Sequence, residues 1–460
     1  MSSSDAKPSA NIIDVATVYD NCKDVLQEGR NKLARNMLSR NNVVDVLRDS
    51  AVAASYTYKY SDSLKQQGKA TSQRSSGRCW IFACLNVIRL NFIKKFNLSN
   101  DFELSQSYLF FFDKLERVQF FLDNIVDTAS EPLDGRLLAH LVTAPVQDGG
   151  QWDMLANLIT KYGLVPKSVF PDPHCATASR KMNRFLTTRL RTFARDLRGL
   201  VAAKGKDSEE VAKAKATMIA EVTRELVVFF GVPPKTFTWT FADKDGKFGA
   251  LRDITPQQFY REHADFDMSK KISLIHDPRN EYYQLYTVDR LGNMVGGRPV
   301  TYLNVDIDVL KSYARKTLEA GNPVWFGCDV GKQSDRETAS MDPRIYDYNL
   351  VFGADTVDLS KRERLDYGES LMTHAMVFVG FDRDPADPDN KVAAWQVENS
   401  WGEKGPDKGR WIMTDDWFSE WVYQIVVDVD DLDDKTRQVL NLEAHRLPAW
   451  DPMGALASSL

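Results

Sequence analysis

Cys79 stands where a cysteine gains nucleophilicity. In "QRSSGRCWIFACLNVIRLNF", Gln73 to Phe92, a polar, glycine-containing stretch turns apolar at Cys79. Trp80, Ile81, Cys84, Leu85, Ile88 and Phe92 then recur at three- and four-residue steps, which predicts a helix that begins at Cys79. A thiol attacks as thiolate, and both a helix N-terminus and a neighbouring imidazolium lower its pKa. Of the six histidines, His140, His174, His263, His276 and His445 sit in polar or turn-like surroundings without a motif. His374 instead opens the apolar run "HAMVFVGF", which predicts a strand with the imidazole at its end. A second apolar run, "VAAWQVENSWG", ends in Asn399, Ser400, Trp401 and Gly402. An Asn carbonyl can hold an imidazole in one tautomer without adding charge. The Gln73 amide can donate to a developing oxyanion beside the backbone N–H of Cys79. Gln73, Cys79, His374 and Asn399 thus supply oxyanion donor, nucleophile, base and orienter for acyl transfer through a thioester. The pattern calls for no metal and no cofactor.

These residues need a scaffold of helices first and strands later. Residues 11 to 50 and 104 to 162 read as helical, the latter interrupted by the turn "PVQDGGQW". Between 180 and 230, Leu190, Phe193, Leu197, Leu200 and Val201 make one apolar face, and the surrounding mixture of both charge signs reads as solvated. From 235 onward the chain turns to short β-like runs: "KTFTWTF", "YYQLYTV", "RPVTYLNVDI", "PVWFGCDV", "THAMVFVGF", "VAAWQVENSW", "RWIMT" and "VYQIVVDV". This order predicts an α+β architecture.

A chain of 460 residues, 43% hydrophobic and 27% charged, has room for a large core and two or three domains. The net charge of -5 gives little support to a nucleic-acid partner, although a local basic lining is compatible with it. No apolar run is long enough to span a membrane, and the N-terminal stretch lacks the basic-then-apolar order of a signal peptide. Five cysteines, an odd number without a CxxC pair, point to a reducing, cytoplasmic setting. Cys84 reads as a packing residue. Arg78 favours either thiolate formation or plain solvation, and Trp401 either shields the His374–Asn399 pair or fills core.

The sequence resembles the papain-like cysteine peptidases, whose pattern Gln-x-x-x-Gly-x-Cys-Trp, then His, then Asn-Ser-Trp-Gly is matched by Gln73, Gly77, Cys79, Trp80, His374 and Asn399 to Gly402. Ser76 stands where secreted members carry a disulfide cysteine. The interval from Cys79 to His374 is about twice the 130–150 residues of papain, so a larger relative is required. The bleomycin hydrolase and aminopeptidase C family is similar over nearly the whole chain, down to "HRLPAWDPMGALA".

That resemblance implies a papain-like core with an inserted helical region and extensions at both ends. The segments implied are 1–60 (N-terminal helical arm), 61–178 (half with the nucleophile), 179–300 (inserted helical and oligomerisation region), 301–445 (β-rich half with His and Asn) and 446–460 (C-terminal arm in the cleft). It also implies a homohexamer and an aminopeptidase whose arm, at Ala457 to Leu460, receives the free amino group of a peptide substrate. The family's tail usually ends near Ala457, so Ser458 to Leu460 are either trimmed or met by a different cleft. Two other classes compete. Acyl transferases of the transglutaminase or arylamine acetyltransferase kind generally use Asp where Asn399 stands, and an oligomeric nucleic-acid-binding or scaffold protein with incidental peptidase activity finds little support in a net charge of -5.

Overall fold

A computed structural model of the chain describes residues 13–354, 358–384, 386–387 and 391–457. It divides into two compact units, the described parts of Met1–Tyr56 with Pro343–Ser360, and of Thr57–Asp342 with Lys361–Leu460.

The smaller unit is built from short helices, among them Val15–Cys22, Gly29–Leu38 and Ser50–Ala54. Asp14, Asn42, Asp49 and Asp347 side chains accept from first-turn N–H groups, the hydrogen bonds by which such residues start helices. Arg48 pairs with Tyr346 across the two segments.

The larger unit carries the chemistry. Five of its helices and eleven of its strands build the frame around it. Helix α1 is Cys79–Lys95, α2 Gln106–Asp127, α3 Trp152–Tyr162, α4 Arg180–Lys204 and α5 Glu209–Phe230. The strands are β1 Phe237–Ala242, β2 Phe248–Ile254, β3 Lys271–Ile275, β4 Gln284–Val288, β5 Tyr302–Asn304, β6 Val324–Cys328, β7 His374–Arg383, β8 Val392–Glu398, β9 Arg410–Thr414, β10 Val422–Asp428 and β11 His445–Leu447. Strands β3 to β11 join one sheet in the order β11-β4-β5-β3-β10-β6-β7-β8-β9, while β1 and β2 form a separate hairpin. Strands β3 and β4 fall in the segment 179–300, β4 within the expected β-like run "YYQLYTV" and β3 outside any of the expected runs.

Helix α1 packs across β7. It is buried on more than the predicted stripe, since Phe82, Ala83, Asn86 and Arg89 are covered as well. The two polar residues are tolerated because they are paired: Asn86 Nδ2 donates to Thr71 Oγ1 at 2.9 Å, and Arg89 meets Glu398 at 2.6 Å. Helices α4 and α5 pack on each other and on α2. The expected apolar face of α4 is buried at Leu190, Phe193 and Leu197. Helix α5 stops at Gly231, whose φ of 85° lies in the left-handed region that ends a helix at little cost for glycine alone.

Candidate active site

Cys79 is the first residue of α1, as its position after Ser-Gly-Arg predicts. The first turn is closed by Ile81 and Phe82 N–H groups, each 3.0 Å from Arg78 O. Cys79 is completely buried, as is His374 at the start of β7. In the sheet His374 pairs with Cys328 of β6, and Trp325 of that same strand donates its indole N–H to Trp80 O at 3.3 Å. These contacts fasten the head of the helix to the strand ends.

His374 Nε2 lies 2.9 Å from Asn399 Oδ1. Asn399 follows the last residue of β8, which runs antiparallel to β7, so two adjacent strands bring imidazole and amide together. Asn399 Oδ1 also accepts from Ser400 N at 2.7 Å, which fixes the plane of the amide. Burial pushes the His374 pKa down to about 4; the Asn399 contact opposes this and the Arg336 charge adds to it. The Trp401 ring lies 5.0 Å from the imidazole, centroid to centroid. It is partly buried and lies against the imidazole.

Gln73 sits in the segment that runs alongside the Asn399 loop. Gln73 N donates to Ser400 O at 2.8 Å, Gly402 N to Thr71 O at 2.8 Å, and Ser400 Oγ to Gln73 Oε1 at 2.7 Å. Gln73 Nε2 donates to Ser76 O at 2.6 Å. A primary amide carries two N–H bonds, and spending one on Ser76 orients the other. Ser76, at the position of the missing disulfide, returns a hydroxyl bond to Gln73 O at 2.7 Å. All five cysteines are free thiols. Burial raises the Cys84 thiol far above its ordinary pKa, in keeping with a packing role.

Arg78 is not solvated. It is fully buried, ion-paired with Asp172 at 2.9 Å and stacked near the rings of Phe82 and Phe110. A second buried residue carries a role that its surroundings in the sequence did not reveal. Asp148 Oδ2 accepts from Gly77 N at 3.0 Å, Asp148 O from the Trp80 indole at 2.7 Å, and Asp148 Oδ1 from Lys114 Nζ at 2.8 Å. Lys114 and the Ser179 and Asn183 hydrogen bonds hold its carboxyl well below the usual range against the opposing effect of burial. It thereby grips the chain on both sides of Cys79. The signal was the turn "PVQDGGQW", read only as a turn.

The same turn receives the C-terminal arm. Ala457 pairs with Gly150 as an antiparallel bridge, and Gln151 Nε2 donates to Ala455 O at 2.7 Å. Gly150 must lack a side chain, because a Cβ there would lie 2.6 Å from the Trp80 ring. Upstream the arm is held by β11 alongside β4, by Arg279 on Asp451 at 2.9 Å, by Tyr302 OH on Met453 O at 3.1 Å and by Arg136 over the Trp450 ring at 4.3 Å. Ala457 is completely buried. Leu460, the other arm residue singled out in the sequence, lies outside the described residues.

A cysteine at a helix start and an Asn-held imidazole at the end of the strand that this helix packs on, set in a papain-like scaffold, are the features a cysteine peptidase requires. The model of the Peptidase C1-like family matches residues 12–454. The bleomycin hydrolase of Rattus norvegicus is 47% identical over 92% of this chain and 94% of its own. Aminopeptidase C of Listeria innocua is 44% identical over 85% of this chain and 86% of its own. The crystal structure of PepW from Lactobacillus rhamnosis superposes with a TM-score of 0.93 at 41% identity, covering 97% of this chain and all of that one. The chain belongs to the Peptidase C1-like family and is a cysteine aminopeptidase of the bleomycin hydrolase and aminopeptidase C kind.

Proposed function

We propose that the chain releases residues from the amino end of peptides through an acyl-enzyme on Cys79. The ring nitrogen of His374 that Asn399 does not engage takes the thiol proton as the sulfur attacks the carbonyl carbon. The oxyanion forms against the Gln73 amide and the Cys79 N–H, and His374 returns the proton to the departing amine. Water, deprotonated by the same imidazole, then hydrolyses the thioester. Asn399 keeps the ring in register, Trp401 excludes water from that pair, and the positive end of α1 favours the thiolate.

The observation that carries the aminopeptidase reading is the bridge between Ala457 and Gly150. Gly150 touches Trp80, next to the nucleophile, and its backbone edge is where an extended peptide on the acyl side would pair. With that edge taken by the chain's own arm, long acyl segments are excluded and only a short amino end fits. The same chemistry extends to amides of the bleomycin kind and to thiolactones, whose carbonyls are at least as open to attack.

The free thiols support a cytoplasmic setting. A homohexamer is supported by the smaller unit, which leaves Val15, Tyr19, Leu33 and Met37 exposed for a neighbouring copy to cover. The test is turnover of an aminoacyl fluorogenic amide against its N-acetylated twin. The free amine is expected to be hydrolysed, the acetylated twin to be refused, and Cys79→Ala to hydrolyse neither. Equal rates on both substrates would remove the aminopeptidase reading, and activity in Cys79→Ala would remove the nucleophile.

A further inference from the structure

Beside Trp401, whose ring lies against the His374 imidazole, is a cavity of about 540 Å³. Gln73 and Trp401 border it, so it opens directly from the proposed site. The walls bring three cations, Arg74, Arg336 and Lys404, against one anion, Glu403. The Arg336 guanidinium rests 4.4 Å from the Trp401 ring centre, and among the described residues it has no carboxylate partner. Its charge is felt at the His374 imidazole. Arg74 directly follows Gln73 and is held at φ 56°, a left-handed conformation that ordinary residues adopt at some cost.

These features point to one half of the substrate. The arm occupies the acyl side at Gly150, whereas His374 hands its proton to the departing amine, so the space next to His374 and Trp401 receives the leaving group. A guanidinium stacked on an indole keeps its charge and its in-plane N–H donors while losing freedom to wander. Two more cations in the cavity wall, Arg74 and Lys404, bias it toward negative charge. Resting on the cysteine aminopeptidase reading, we infer that Arg336 selects leaving amines that carry a carboxylate. That carboxylate comes either from an acidic side chain on the residue after the scissile bond or from the free terminus of a dipeptide.

Three substrates separate the sources: alanyl-glutaminyl amide (neutral), alanyl-glutamyl amide (side-chain carboxylate) and alanyl-glutamine (terminal carboxylate). The full chain is expected to favour one or both anionic substrates over the neutral one by about fivefold or more in kcat/KM, the scale of a single partly exposed charge pair. The advantage shrinks in high salt. In Arg336→Gln the anionic-to-neutral ratio falls to near one, and in Arg336→Lys, which keeps the charge but loses the stacked fork, part of it returns. Preference for alanyl-glutamyl amide alone assigns the side chain, and preference for alanyl-glutamine alone assigns the terminus. An anionic-to-neutral ratio near one in the full chain, or one left unmoved by Arg336→Gln, overturns the inference and leaves the peptidase reading standing. Failure to hydrolyse any aminoacyl amide strikes at the peptidase reading itself.

Discussion

Gln73 and Asn399 sit on neighbouring backbone segments and are proposed to act at different moments of the reaction. Gln73→Ala is expected to lower kcat by about 10²–10³, the usual effect of removing one oxyanion donor; stopped or steady-state kinetics that placed the whole loss in KM would contradict the role. Asn399→Ala should cost less than Cys79→Ala, since the ring still visits productive orientations. The pH dependence follows from burial. A histidine whose pKa is pushed down to about 4 remains a neutral base as the pH falls through 6.5. The acid-side decline of kcat/KM is therefore expected below 6.5, and a decline centred at or above that value would contradict the burial of His374. At this scale the sequence located Cys79 at a helix start, and His374 and Asn399 at strand ends within hydrogen-bond distance of each other, because residue type and spacing coincide there. Asp148 was not legible, because its importance comes from lying beside Gly77, Trp80 and Lys114 in space, and nothing in a turn-like "QDGG" announces those partners.

The elements that hold the site are tied by a buried ion pair. Arg89, near the middle of α1, meets Glu398, the last residue of β8 before Asn399, at 2.6 Å, with both side chains almost wholly covered. Burial holds the Glu398 carboxyl above its ordinary range in spite of the guanidinium. Arg89→Leu is thus expected to lower unfolding stability by about 3–5 kcal/mol in urea denaturation, because it strands a buried acid. Replacing both residues with apolar ones should recover much of that loss. A single-variant loss below about 1 kcal/mol would show that α1 and β8 are not coupled this way. The strands of the later chain were readable because β-branched and aromatic runs such as "THAMVFVGF" end at Asp or Gly. Strand β3 was not: "KISLI" is short, and it follows the charged stretch "REHADFDMSK" and precedes a Pro-Arg-Asn turn. Its place in the sheet is set by pairing with β10, more than 140 residues downstream.

At the scale of the whole molecule the proposed hexamer predicts a light-scattering mass six times the 52.2 kDa of one chain. A monomer at working concentration would contradict it. The arm bears on the central claim most directly. "LPAWDPMGALASSL", with two prolines and no charge after Asp451, reads as an extended segment, and in the structure Ala457 pairs with Gly150 as an antiparallel bridge. Its anchors at Arg279, Tyr302 and Arg136 could not be read from the sequence, since each comes from a distant part of the chain. If Ser458 to Leu460 are an unprocessed extension, removing them alone preserves or raises turnover of an aminoacyl amide. The decisive measurement is hydrolysis of an N-acetylated peptide amide by a chain lacking Pro452 to Leu460, beside the full-length chain. With the Gly150 edge cleared, the shortened chain is predicted to hydrolyse the acetylated substrate through the same Cys79, which the full-length chain refuses. If the shortened chain still hydrolyses small aminoacyl amides but refuses the acetylated substrate as strictly as before, the arm does not make this peptidase an aminopeptidase.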